Sequence, residues 1–381
     1  MTIRPDWLTD PGAQSVMRML SDAGHEALFV GGCVRNALLG VAATDIDIAT
    51  DALPERVMEL AVDAGFHAVP TGIEHGTVTV IREHTPFEVT TYRQDVRTDG
   101  RRAVVAFTGD VAADAARRDF TMNALYLTAE GSLIDPLGGY RDIEARKVRF
   151  IGAARDRIAE DYLRILRFFR FHAWYGEGPL DEAGLKACAD MADGLSGLSA
   201  ERITAETIKI LSAPDPSDVL RAMESAGVLA RILPGADLRL LPFLIAAEAA
   251  PDWLARILMI GATEDRLRLS RAQSRALRDA RGALSTGAGT AERAYRLGAD
   301  TARRCALVEA AILRRLPAPS LEAEIARGAS AAFPVAAADL MAFVEPGPAL
   351  GAALGAIEAD WIASDFRLDR DTLLARWRER A

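Results

Sequence analysis

Apolar and polar positions alternate in short runs over the first 150 residues and recur at three- and four-residue spacing afterwards. Strand-type segments fall at 27–31 (ALFVG), 45–50 (DIDIAT), 76–81 (GTVTVI), 86–92 (PFEVTTY) and 103–107 (AVVAF), of which the middle three alternate and the first and last are continuously apolar. A period of two is the mark of a strand with one buried face. Between them, 54–65 (PERVMELAVDAG) reads as a helix, with Pro54 just inside its start and Gly65 just past its end. Mixed strands and helices imply a sheet with helical cover. From about residue 155 the strand signal is gone, and Ala- and Leu-rich helical segments follow one another, punctuated at Pro214-Asp-Pro216, Pro234-Gly235, Pro251 and Pro317-Ala-Pro319. The expected fold class is α+β, an N-terminal α/β domain over 1–150 followed by an all-α array. The stretch 282–290 (GALSTGAGT) reads as a flexible connection.

Composition narrows the class. The chain has 381 residues, half of them apolar, enough for more than one core. It has no run of eighteen apolar residues, and MTIRPDWLTD lacks the charged-then-apolar pattern of a signal peptide, so a soluble cytoplasmic protein is expected. Cys33, Cys188 and Cys305 lie far apart and are odd in number, which is neither a disulfide framework nor a CxxC metal pair. They read as buried small hydrophobes. The net charge of −9 argues against coating nucleic acid by bulk electrostatics but leaves room for a local basic face. Lys147, Lys186 and Lys209 are the only lysines, so the positive charge is carried by arginine, whose planar fork suits phosphates and base edges.

The candidate chemistry begins with Asp45 and Asp47, two apart in a segment of strand character and therefore on one face. Two converging carboxylates are what a Mg²⁺ pair needs to bridge triphosphate oxygens and an attacking hydroxyl. Upstream, Gly31 and Gly32 end a strand and open a helix, where bare backbone and a helix N-terminus favour phosphate; a plain tight turn is the alternative. Arg35 can reach the same phosphates. Glu88 shares a strand face with Thr90 and Tyr92, and is either a third carboxylate for metal or proton transfer or part of a solvated face. Arg117-Arg118-Asp119 reads, by itself, as a surface charge cluster. In 160–171 (EDYLRILRFFRF), Asp161, Arg164 and Arg167 follow i, i+3, i+6 along an expected helix whose buried stripe is Ile165, Leu166 and Phe169.

With these residues in view, the chain resembles the class II nucleotidyltransferases, the poly(A) polymerase family that includes CCA-adding enzymes. The match runs from about Leu28 to Leu211. VGGCVRNALLG with DIDIAT looks like the family's first motif, RRDFTMNAL (117–125) like its ribose-reading motif, EDYLRILRFFRF like its base-reading helix, and LSAERITAE (198–206) like its neck motif. The resemblance implies a nucleotidyltransferase head over 1–150, a base-recognising neck over 151–211, a body over 212–285 and a tail over 286–381. It implies that Asp45 and Asp47 bind Mg²⁺, that Gly31, Gly32 and Arg35 hold the triphosphate, and that Arg118 and Asp119 sense the ribose hydroxyls. Asp161 and Arg164 would act as a protein template for C or A, with Glu160 orienting Arg164 and with Arg167 and Arg170 in support. Two departures stand out: Asn36 where the motif commonly ends in Asp, and Tyr162 where bacterial members often carry proline.

The activity implied is addition or repair of the 3′-terminal CCA of tRNA from CTP and ATP. The segment TGIEHGTVTV (71–80) and the loop-like RQDVRTDGRR (93–102) favour CCA addition over poly(A) synthesis. A partial CC- or A-adding enzyme and a non-catalytic RNA-binding module are the other readings. The partners are then the tRNA 3′ end and the two nucleotides, with no membrane. For tRNA contact, Arg271, Arg275 and Arg278 share a helical face, with Arg266, Arg268, Arg281, Arg293, Arg296, Arg303 and Arg304 nearby; a solvated helix face is the alternative.

Overall fold

The computed structural model describes residues 1–43, 45–99 and 102–380. The chain divides into two compact units, Met1–Ile232 and Leu233–Ala381. The strands of the first unit are β1 (Ala27–Val30), β2 (Asp47–Thr50), β3 (His67–Gly72), β4 (Thr77–Arg82), β5 (Thr85–Thr91), β6 (Arg93–Asp99), β7 (Arg102–Phe107), β8 (Tyr126–Leu127) and β9 (Leu133–Ile134). Seven of them form one mixed sheet in the order β3-β4-β5-β2-β1-β8-β9, while β6 and β7 pair as a separate antiparallel hairpin. Within the sheet only β2 and β5 run parallel among the described strands. The 93–102 segment read as a loop thus forms most of that hairpin, with Gly100 and Arg101 outside the described residues.

Alternation sets the layers. In β5, Phe87 and Val89 are buried while Glu88 between them is exposed. In β1, Leu28 and Val30 join Tyr92, Ala115 and Tyr126 in one cluster, and Phe29 turns to the opposite face, edge-on to Trp7 at 5.1 Å. Full burial of a side chain such as Leu28, Phe29 or Val30 contributes roughly 1.5–3 kcal/mol. The strand expected from residue 45 begins only at Asp47. Val30 is the last β1 partner and faces Asp47, after which Gly31 leaves the ladder at φ 71, so Asp45 has no strand opposite it on that side.

The helices of this unit are α1 (Pro11–Asp22), α2 (Gly32–Leu39), α3 (Pro54–Asp63), α4 (Val111–Ala116), α5 (Gly139–Glu144), α6 (Ala154–Glu160), α7 (Leu163–Tyr175), α8 (Glu182–Asp190), α9 (Ala200–Leu211), α10 (Ser217–Ser225) and α11 (Leu229–Ile232). The single helix expected through 160–171 is therefore two. Asp161 is extended (φ −157, ψ 108), and its Oδ1 accepts the Leu163 backbone N–H at 3.0 Å. A short carboxylate that competes for backbone donors starts a helix more readily than it continues one. Asp161 consequently stands at the head of α7 and not on a helical face with Arg164 and Arg167. Behind α7, Phe120 packs on Phe150 and Phe171, each at 4.9 Å, which fixes this helix to the segment that follows Asp119.

The second unit is helical throughout its described elements, with α12 (Leu241–Ala247), α13 (Trp253–Ile260), α14 (Arg271–Thr286) and further helices between Thr290 and Arg378. Ser270 and Gln273 close a capping box on α14, and Gly287 caps its far end at φ 68. The connection expected over 282–290 shrinks accordingly to the three residues 287–289, because buried Leu277, Ala280 and Ala283 carry the helix through to Thr286. All three cysteines are free and buried. Among the described residues, no helix is long and apolar enough to cross a membrane.

Candidate active site

Sheet register brings three separate stretches of sequence to one place. Val30 faces Asp47 on one side and Tyr126 on the other, so the turn after β1, the start of β2 and the residues before β8 meet at the same end of the sheet. Gly31 adopts φ 71 and ψ −119, a conformation that residues with a Cβ rarely reach, and opens α2 at Gly32. Around this point lies a pocket of about 450 Å³ lined by Gly31, Gly32, Arg35, Asp47, Arg118, Asp119, Asp161, Arg164 and Arg167. Asp45, Glu88, Glu160 and Arg170 are not among its lining residues.

The carboxylates are electrostatically coupled. Glu88 is the register partner of Asp47 across the parallel β2–β5 pair. Burial raises the Asp47 carboxyl to about 6; Glu88 and Asp45 push in the same direction and Arg118 opposes them. A buried carboxylate with two further acidic groups acting on it is a hard oxygen-donor set, the kind that suits Mg²⁺. Mg²⁺ is commonly held by one or two carboxylates together with substrate phosphates. No group of three His, Cys, Asp or Glu side chains forms a ready-made cage among the described residues.

The Arg117-Arg118-Asp119 cluster is not a surface feature. Asp114, 1% exposed, accepts from Arg117 Nε at 2.9 Å, from Arg118 Nη2 at 2.8 Å and from Tyr126 Oη at 2.8 Å. Burial alone would raise this carboxyl, but Arg118 and then Arg117 outweigh it and bring it down to about 2. Asp119 is also buried. Its Oδ1 accepts from the Phe120 N–H and from Asn123, each at 2.9 Å, and its Oδ2 from Arg167 Nε at 2.6 Å. Burial again opposes the charge, and Arg167 and Asn123 hold the carboxyl below its ordinary value.

At the head of α7, Glu160 accepts from Arg157 at 3.1 Å and from Arg164, and Arg164 also donates to the Arg157 carbonyl at 3.0 Å. The remaining Asp161 oxygen takes Arg202 of α9 at 2.7 Å. Arg170 turns away to Glu206 of α9 at 2.6 Å. Sequence reading missed Asp114, Asn123, Tyr175 and Arg202. Asp114 carries a signal in its spacing, three and four residues ahead of Arg117 and Arg118 on a helix. Asn123 and Arg202 sit inside motifs already singled out; nothing in the sequence around Tyr175 marks it.

In the second unit, Arg271, Arg275 and Arg278 are exposed along α14. Arg275 pairs with Asp279 at 3.4 Å. The surrounding arginines are largely neutralised, Arg281 by Glu264, Arg293 by Glu309, Arg296 by Glu292 and Glu358, Arg303 by Glu322 and Arg304 by Asp252. Arg293 is 2% exposed and no part of a surface patch.

Residues 27–149 match the family model described as the Poly A polymerase head domain, and 179–240 match the probable RNA and SrmB-binding site of polymerase A. Among curated proteins, the chain is 42% identical over 224 residues to mouse (Mus musculus) CCA tRNA nucleotidyltransferase 1, mitochondrial, covering 58% of this chain and 52% of that protein. It is 39% identical over 246 residues to the CCA-adding enzyme of Geobacillus kaustophilus (strain HTA426), covering 64% and 59%. The chain thus spans about half the length of the mouse relative. The solved Bacillus stearothermophilus CCA-adding enzyme in complex with CTP superposes with a TM-score of 0.78 at 28% identity, over 99% of this chain and 98% of that one.

Proposed function

We propose, for a chain whose residues 27–149 belong to the Poly A polymerase head domain family, template-independent addition or repair of the 3′-terminal CCA of tRNA from CTP and ATP. The observation that carries this reading is the single pocket that collects Gly31, Asp47, Arg118, Asp119, Asp161 and Arg164 from across the chain. A phosphate turn at one side, hydroxyl-reading groups beside it and a fixed donor–acceptor pair opposite make a receptor for a whole ribonucleotide. The names of the relatives point to the same substrate.

In this reading Asp45 and Asp47 hold Mg²⁺. Bound there, the metal supplies Lewis-acid stabilisation of charge on the phosphate oxygens. Gly31 and Gly32 present backbone N–H groups to the triphosphate at the start of α2. The tRNA 3′-hydroxyl oxygen bonds to the α-phosphorus, the bond to the β-phosphate oxygen breaks, and pyrophosphate leaves. Glu88, register partner of Asp47, is the base we assign to the hydroxyl proton. Arg118 and Asp119 sense the ribose, the carboxylate offering an acceptor that separates ribose from deoxyribose.

Asp161 and Arg164 read the base. Aspartate only accepts and the guanidinium only donates, so together they present a complementary edge to C, and a small rotation presents one to A. Residues 1–150 would carry the chemistry, 151–211 the base reading, and 212–285 and 286–381 contact with the tRNA body. The compartment we infer is the cytoplasm.

The test is extension of tRNA transcripts ending before CCA, after C and after CC, with CTP and ATP supplied singly and together and products resolved at single-nucleotide length. Ordered growth to CCA followed by a stop supports the proposal. A long A tail would favour poly(A) synthesis, and a halt after CC or action only on CC-ended tRNA a partial enzyme. No addition to any primer would leave an RNA-binding module.

A further inference from the structure

The Arg35 guanidinium is buried among partners that are all neutral. It is 7% exposed. Nη1 donates to Asn123 Oδ1 at 2.6 Å, Nε and Nη2 to Asn36 Oδ1 at 3.2 and 2.9 Å, and Nη2 to Tyr175 Oη at 3.0 Å. Its carbon lies 4.2 Å from the centroid of the Tyr175 ring and 5.1 Å from that of Phe171. Among the described residues no carboxylate bonds to it, although Asp114, Asp119, Glu160 and Glu206 all pair with neighbouring arginines. Burial pushes the guanidinium down from its ordinary value, and Tyr175 is the first of the groups that oppose this.

Arginine stays charged in proteins, and a buried charge without a counter-ion is costly. The hydrogen bonds leave one N–H on Nη1 unspent, and Arg35 lines the pocket beside Gly31 and Gly32. Asp119 acts on the guanidinium through space but spends its oxygens on the Phe120 N–H, Asn123 and Arg167, so an anion in the pocket would complete the neutralisation. The group that holds the guanidinium from above is the ring and hydroxyl of Tyr175, the last residue of α7. This helix also carries Arg164, so one rigid element bears both the base-reading arginine and the clamp on the phosphate arginine.

We propose that Tyr175 is a positioning residue that holds Arg35 as an anion receptor for the phosphate chain of the incoming nucleotide. This rests on the nucleotide-adding reading above and adds to it a residue outside the motifs. Two consequences separate it from a filler role. Its effect is on binding and not on turnover, because Tyr175 touches Arg35 and not the reacting atoms. It is also the same for CTP and ATP, because the phosphate chain is common to both.

The experiment compares wild type with Tyr175→Phe, which removes only the hydroxyl, and Tyr175→Leu, which removes the ring as well. Binding of CTP, ATP and inorganic pyrophosphate is measured by calorimetry with Mg²⁺ present, beside kcat and KM in primer extension. The expected result is weaker binding of all three by about threefold in Tyr175→Phe and at least tenfold in Tyr175→Leu, with kcat within twofold of wild type. Circular dichroism checks folding, and if Tyr175→Leu is unfolded, Tyr175→Phe decides. Unchanged binding in the folded variants overturns the proposal, as does a loss confined to one of the two nucleotides or a fall in kcat alone. Because calorimetry does not need turnover, a wild type that binds CTP and extends no primer would remove the enzymatic reading and still leave the role of Tyr175 to be judged on binding.

Discussion

Arg118 Nη2 donates to Asp114 Oδ2 at 2.8 Å, and the same oxygen takes the Tyr126 hydroxyl. One buried carboxylate thereby fixes the arginine that faces Gly31 at the pocket. Asp114→Asn keeps the size of the side chain and removes its charge. The Asp114 carboxyl ionises at about 2 in the fold against 3.8 for the free group, worth about 2 kcal/mol of stability. Because the folded value is the lower one, this contribution is complete above about pH 4 and is lost as the pH falls towards 2. Urea unfolding of both proteins should show a gap of about 2 kcal/mol at pH 7 that shrinks by about half near pH 3. An equal gap at both pH values would show that the charge is not its source.

The base-reading assignment turns on Arg164, held by Glu160 and the Arg157 carbonyl. Arg164→Ala is expected to lower the preference for CTP over UTP by at least about tenfold, equivalent to roughly 1.4 kcal/mol. The KM for tRNA should stay within about twofold, since in the proposed reading Arg164 meets the base and not the primer. Retained discrimination among the four nucleotides would end this role.

Gly194 lies against the Tyr162 ring, and an added Cβ there would overlap it. Gly194→Ala must displace the ring next to Asp161, at about 1–3 kcal/mol. Tyr162→Ala should relieve most of that loss in the double variant, measured as a coupling energy in a denaturation cycle. Additive effects of the two changes would contradict the direct packing of Gly194 on the ring.

On α14, Arg271 and Arg278 have no ion-pair partner among the described residues, while Arg275 shares Asp279. Reversing Arg271 and Arg275 to Glu should weaken tRNA binding and flatten its dependence on salt, by roughly 0.7–0.9 in the logarithmic slope for each phosphate that is no longer neutralised. Filter binding across salt concentrations reads both. An unchanged Kd and slope would assign this face to solvent alone.

Much of the sheet was legible in the sequence, because 76–81 and 86–92 alternate, with Val78, Val80, Phe87 and Val89 buried, and 27–31 is a short apolar run whose Leu28, Phe29 and Val30 are buried. The Gly31 turn and the neighbouring aspartates were legible for the same local reason. Asp161 was misread as a helical residue, since periodicity continues across 160–171 and does not register a side chain that caps the next helix. The arginines of 261–304 looked like a patch because sequence separation hides their partners: Arg304 meets Asp252, and Arg296 meets Glu358. Tyr175 is the extreme case. What distinguishes it is its ring and hydroxyl contact with Arg35, 140 residues away.

The most direct test is of the paired aspartates. Wild type, Asp45→Ala and Asp47→Ala would be incubated with Mg²⁺, CTP, ATP and a tRNA lacking CCA, with binding of the tRNA measured in parallel. Three ordered additions by wild type, none by either variant and tRNA affinity within about threefold are expected, since metal-held phosphate chemistry is removed and the primer's own binding groups are untouched. Substantial extension by either variant would contradict the assignment of the metal-holding carboxylates.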